Sequence, residues 1–75
     1  MEIVSFMFTK HNLELMNELL SYIAEKGHSR ILEQLQFNIK YNIFGGYYNL
    51  FIKCPSSWDA HYIEQLEKEW RIQHD

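Results

Sequence analysis

What the chain has little of says most about its class. It holds a single cysteine, Cys54, so no disulfide can form within it. Small secreted domains usually depend on several such staples, and a reducing cytoplasm is therefore the expected compartment. One proline, Pro55, and three glycines, Gly27, Gly45 and Gly46, are too few for a linker, a low-complexity segment or a glycine-rich phosphate cradle. No apolar run approaches the roughly 18 residues that cross a membrane. The apolar start Ile3-Val4-Ser5-Phe6-Met7-Phe8 carries an acid, Glu2, where a signal peptide carries bases, and polar Thr9-Lys10-His11-Asn12 follows at once. A soluble chain without membrane association is expected.

Basic charge is also scarce. Ten acids against seven bases leave a net charge of −3, whereas nucleic-acid binding draws its strength from clustered Lys and Arg. The distribution is uneven. Residues 1–27 carry Glu2, Glu14, Glu18 and Glu25 against Lys10 and Lys26, and residues 57–75 are similarly acidic. The stretch between them holds Arg30, Lys40 and Lys53 against Glu33 alone. A partner therefore meets either an acidic or a mildly basic face, because fields fall off within about 8 Å in physiological salt.

Apolar and aromatic residues are abundant, at 47% and 16% of the chain, which excludes a disordered tail. Seventy-five residues cannot build two cores, so residues 1–75 are read as a single domain. Its aromatics exceed what so thin a core takes in, and the excess points to a buried interface.

Periodicity gives the elements. Residues 2–8 read as a strand with Val4, Phe6 and Phe8 on one face and Ile3, Ser5 and Met7 on the other. Leu13, Met16, Leu20 and Ile23, with Leu19 and Ala24 widening the stripe, mark a helix from about Lys10 to Lys26, capped by Thr9 or Asn12 and stopped by a left-handed Gly27. Residues 28–34 fit a helical turn, a bulge or an early strand equally. Alternation then runs cleanly through Leu35, Phe37, Ile39, Tyr41 and Ile43. Gly45-Gly46 fits a two-residue hairpin turn pairing Phe44 with Tyr47, Tyr41 with Leu50, Ile39 with Ile52 and Phe37 with Cys54. After Pro55, Ser56 or Ser57 caps a helix that buries Tyr62, Ile63, Leu66 and Trp70, with Trp58 covering its entry. The fold class expected is α+β, a two-layer βαββα sandwich with helices on one face of the sheet. In element order it resembles half of a ferredoxin-like domain, a likeness of topology that implies no function.

Catalytic chemistry finds no footing. His11, His28, His61 and His74 lack metal-ligand spacing, and each sits at a helix start or end where a polar residue belongs. His28 there faces the carbonyl end of the helix that precedes it. Cys54 lies near a helix start, yet its register turns it toward the core, where a thiol acts as a small hydrophobe. The carboxylates lie on solvated helix faces among Lys and Arg, with no acid and base pair set apart. No enzyme, cofactor or metal is expected.

Two surfaces remain. One is the sheet face turned away from the helices, bearing Ile3, Met7, Asn38, Lys40, Tyr47, Asn49, Phe51 and Lys53. The other is the acidic helix surface of Glu14, Glu18, Glu25, Glu64 and Glu67. A non-enzymatic interaction protein accounts for the most features at once. It would bind or inhibit another macromolecule through one of these surfaces, and would form a homodimer burying Ile3, Met7, Tyr47 and Phe51. Small acidic inhibitors carried by phage and other mobile elements share this general character. The competing reading is a weak single-stranded nucleic-acid binder that stacks bases on Tyr47 and Phe51 beside Lys40 and Lys53. It is disfavoured by having two lysines only.

Overall fold

The alternation and helical stripes read from the sequence become, in a computed structural model describing residues 2–74 without the side chain of His74, seven short segments. Strand β1 spans Glu2–Thr9, and a single 3-10 turn at Lys10–Asn12 leads into helix α1, Leu13–Lys26. Helix α2 is one turn, Ser29–Leu32. Strands β2, Gln36–Asn42, and β3, Tyr47–Cys54, precede helix α3, Ser57–His74. No helix among the described residues is long and apolar enough to cross a membrane.

The sheet order is β1-β3-β2, antiparallel throughout. Strand β3 is central, so β1 and β2 run the same way at opposite edges. Val4, Leu50, Ile52 and Cys54 form the buried strand contribution to the core. Met16, Leu19 and Ile23 of α1 close over them with Ala60, Ile63, Leu66 and Trp70 of α3, which places both helices on one face. Phe8 meets Trp70 edge-on, with centroids 6.4 Å apart. At about 25 cal/mol per Å² of apolar surface removed from water, this one cluster is the chief stabilising term in so small a chain.

The hairpin register differs from the two-residue expectation by two positions. Asn42 faces Tyr47, Tyr41 faces Tyr48, Ile39 faces Leu50 and Phe37 faces Ile52. Ile43-Phe44-Gly45-Gly46 is therefore a four-residue loop. The reason lies in Asn42: its Oδ1 accepts the Gly45 amide at 2.9 Å and its carbonyl accepts the Gly46 amide at 2.9 Å. A side chain that mimics a turn carbonyl thus ends the strand two residues early. Gly46 alone takes the left-handed conformation, at φ 66°. Because side chains alternate with period two, a slip of two leaves every residue on its expected face. Cys54, however, lies beyond the end of β2 and pairs with Glu2 of β1 rather than with Phe37.

Other local expectations need correction. Neither Thr9 nor Asn12 makes a side-chain cap for α1. Gly27 is extended, at φ −73° and ψ 149°, not left-handed. Crowding explains it instead, since a Cβ there would lie 2.7 Å from the Ile23 carbonyl oxygen and 3.0 Å from Leu32 Cδ2. Leu19 is a fully buried member of the α1 stripe, Leu20 is only partly buried beside it, and Ala24 is exposed rather than part of it. The Ser56 cap is made: its Oγ donates to Asp59 Oδ2 at 2.9 Å and accepts the Asp59 amide at 3.3 Å. Trp58 is 81% exposed and covers nothing.

Strand β2 is different from the other two. Val4 in β1 and Leu50, Ile52 and Cys54 in β3 are buried, but no residue of β2 is. Phe37, Ile39 and Tyr41 point to the helix side, yet remain 45%, 45% and 46% exposed because α1 and α3 pack over β1 and β3.

Candidate functional site

Directly opposed residues of an antiparallel pair share a face, so the register defines the open side of the sheet residue by residue. It consists of four rows: Ile3, Lys53, Gln36; Ser5, Phe51, Asn38; Met7, Asn49, Lys40; and Thr9, Tyr47, Asn42. All eight sheet-face candidates of the sequence reading fall on it. Neighbours within a row are about 5 Å apart and rows about 7 Å apart. The face holds two lysines and no carboxylate, and it leaves Ile3 and Met7 60% and 65% exposed.

The register also spreads the cations. Lys40 and Lys53 stand two rows and one strand apart, about 14 Å along the strands. Phe51, half-buried, sits between Ser5 and Asn38, whose short side chains leave its ring accessible. A concavity of about 550 Å³ opens there among Ile3, Gln36, Asn38, Lys40, Phe51 and Lys53, and reaches the sheet edge at Phe37. Tyr47 is not a free platform. Its hydroxyl accepts from Asn42 Nδ2 at 2.9 Å and its ring lies against Gly45, where a Cβ would come within 2.1 Å of Tyr47 Cε1.

The acidic helix surface is smaller than its sequence suggests. Glu14, Glu18 and Glu25 fall on one side of α1, all exposed, and Glu64 is exposed on α3. Glu67 is buried and ion-pairs with Arg71 one turn on, so it is a structural acid rather than part of that surface. The two helices are tied at their rim by the Tyr22 hydroxyl, which donates to Glu69 Oε2 at 3.4 Å.

The residues that suggested chemistry are dispersed. No three metal-ligating side chains converge among the described residues, and the His74 side chain lies outside them. His28 stacks on Tyr62 with centroids 5.7 Å apart, and its carbonyl accepts the Ile31 and Leu32 amides that open α2. It is not the partner of the α1 carbonyl end; there the Tyr62 hydroxyl donates to the Lys26 carbonyl at 3.1 Å. Cys54 is fully buried, its thiol directed at the Ile52 carbonyl at 3.7 Å. Burial, and then the charges of Asp59, Glu2 and Glu64, push its pKa above the ordinary 9.0, the opposite of what an activated nucleophile requires.

Sequence reasoning missed one surface, the helix-side row of β2. Its alternation marks Phe37, Ile39 and Tyr41 as inward, and they are, but alternation carries no information about whether a helix lies above them.

Comparison of the chain with protein-family models, with curated proteins and with solved structures finds no match in any of the three.

Proposed function

We propose that this chain is a non-enzymatic interaction protein whose open sheet face binds another protein. One observation carries the reading: Ile3 and Met7 stand 60% and 65% exposed in a face that contains Lys40 and Lys53 and no acid. Leaving apolar side chains in water costs stability, and a partner that covers them recovers about 25 cal/mol per Å². The accompanying lysines favour a partner surface that is apolar with an acidic rim, since rim charges steer association and set orientation. Occlusion of that partner's own site is the simplest consequence, which makes the chain an inhibitory or accessory protein. The lone buried Cys54 supports a reducing, cytoplasmic setting. The order β1-β3-β2, with α1 crossing between the outer strands, supports kinship of form with half of a ferredoxin-like domain.

The nucleic-acid reading has less support. Tyr47 is held by Asn42 and Gly45, which leaves Phe51 as the one ring on the face for stacking. Two lysines about 14 Å apart offer few phosphate contacts. The test is capture from the native host by the full chain and by a Phe51→Glu, Lys53→Glu variant. A protein retained by the first and lost by the second, with thermal stability unchanged, supports the reading. Retention by both, or low-salt binding of a single-stranded oligonucleotide in its place, defeats it.

A further inference from the structure

From the uncovered row on β2 we infer that a second copy of this chain docks there, by antiparallel pairing of β2 with β2 of the partner about a two-fold axis at Ile39. This surface is separate from the open face assigned to a partner protein, and the inference does not depend on that assignment. Three features lead to the second copy.

The first is self-complementarity. Ile39 is the midpoint of Gln36–Asn42, so a two-fold axis there pairs all seven residues of the strand. Ile39 meets its own copy, Phe37 meets Tyr41 and Asn38 meets Lys40. Apolar residues oppose apolar ones on the helix side and polar ones oppose polar ones on the open side. Centring the axis at Lys40 instead would set the two lysines against each other. The second is the loop. Continuing the same register carries Ile43, 78% exposed, to the other chain's Leu35, beside the partly buried Ile31 and Leu32 of its α2, while Phe44 falls opposite Gln34 at the rim. An isoleucine left mostly in water thereby gains an apolar neighbour. The third is area. A Phe or Tyr buries about 150–250 Å² when fully covered, so Phe37, Ile39, Tyr41 and Ile43, 45%, 45%, 46% and 78% exposed, leave on the order of 400 Å² for an interface. With Phe44 at the rim and the flanking polar residues this approaches about 600 Å² per partner, the lower end of the range of specific stable complexes.

Strand β1 is the other edge, but its helix-side row is already closed by α1 and α3, with Val4 buried and Phe6 and Phe8 partly so. Pairing there would add little burial. Pairing at β2 makes one six-stranded sheet with both helix layers on the same side, and joins the two open faces into a single surface carrying Lys40 and Lys53 from each copy.

Sedimentation of the wild-type chain at micromolar concentration is expected to show a dimer, weakened roughly a hundredfold or more by a charge placed on the axis in Ile39→Lys. Because that variant could fold poorly, cysteine cross-linking gives an independent reading. In Ile39→Cys the two axial residues lie about 5 Å apart and a disulfide forms on mild oxidation. In Lys40→Cys the same residues lie about 8 Å apart and it does not. Cys54, being buried, gives no background in the wild type. A wild-type monomer overturns the inference, as does a dimer that Ile39→Cys fails to trap or that Lys40→Cys traps equally. A wild-type monomer that retains a protein which the Phe51→Glu, Lys53→Glu variant loses would overturn this inference and leave the open-face reading intact.

Discussion

Asn42 Nδ2 donates a 2.9 Å hydrogen bond to the Tyr47 hydroxyl, joining the last residue of β2 to the first of β3. The same side chain accepts the Gly45 amide through Oδ1, so both ends of one amide group fix the hairpin loop and the strand it closes. The cross-strand pairing of each later residue of β3 follows from that junction.

Gly45→Ala should therefore destabilise the fold by about 1–3 kcal/mol, because the new methyl meets the Tyr47 ring and displaces it from Asn42. In a Tyr47→Ala background the same substitution should cost much less, since the clash is gone. Urea denaturation of the four chains checks this, and an unchanged Gly45→Ala cost would place the strain elsewhere. Gly46→Ala should cost about 1–2 kcal/mol in either background, because its left-handed backbone, not a neighbour, requires glycine.

The junction also shows where sequence reading succeeds and where it stops. The elements other than α2, the helix-side and open-side faces and the placement of the eight open-face residues are legible because they depend on periods of two and 3.6, which a slip of two residues preserves; the one turn of α2 is too short to show a period. Pairings are not legible, because Gly45-Gly46 fits a two-residue turn equally well, and what decides is a side-chain bond from Asn42. The buried state of Glu67 was hidden for a related reason. A Glu four residues before an Arg reads as a solvated pair, and only the packing of α3 makes it an inward one. The bare helix side of β2 depends on where two helices land, which no residue of β2 encodes.

At the start of α3, Ser56→Ala should cost about 1 kcal/mol by removing both the accepted Asp59 amide and the hydroxyl donated to its carboxylate. Trp58→Ser, two residues on, should change stability by less than about 0.5 kcal/mol despite deleting the largest side chain available, because the indole lies in solvent. Thermal melts of the two variants distinguish a cap from a core tryptophan, and a large Trp58 effect would restore the covering role read from the sequence.

Glu67 and Arg71 should respond unequally to truncation. Arg71→Met leaves a buried carboxylate without its ion partner and should destabilise by about 1–3 kcal/mol. Glu67→Met, which removes the buried charge and leaves Arg71 free to reach water, should be close to neutral. Equal losses in the two variants, measured by denaturant titration at neutral pH, would mean that the pair acts as an ordinary exposed bridge.

The last prediction concerns alkaline pH. Burial raises the Cys54 pKa above 9.0, so in the folded chain the thiol holds its proton after the unfolded chain has begun to lose it. The unfolded state then binds fewer protons than the folded one, and stability falls as pH rises. The Cys54 contribution is complete below about pH 9 and diminishes from there through the raised folded value. Stability measured from pH 7 to 11 should decline less steeply in Cys54→Ala than in the wild type, with the two slopes equal below pH 8. Thiol labelling should agree: the native chain reacts only as fast as it opens, and denaturant releases the reaction. Rapid labelling of the folded chain at neutral pH would show that Cys54 is not enclosed, and would return it to consideration as a reactive group.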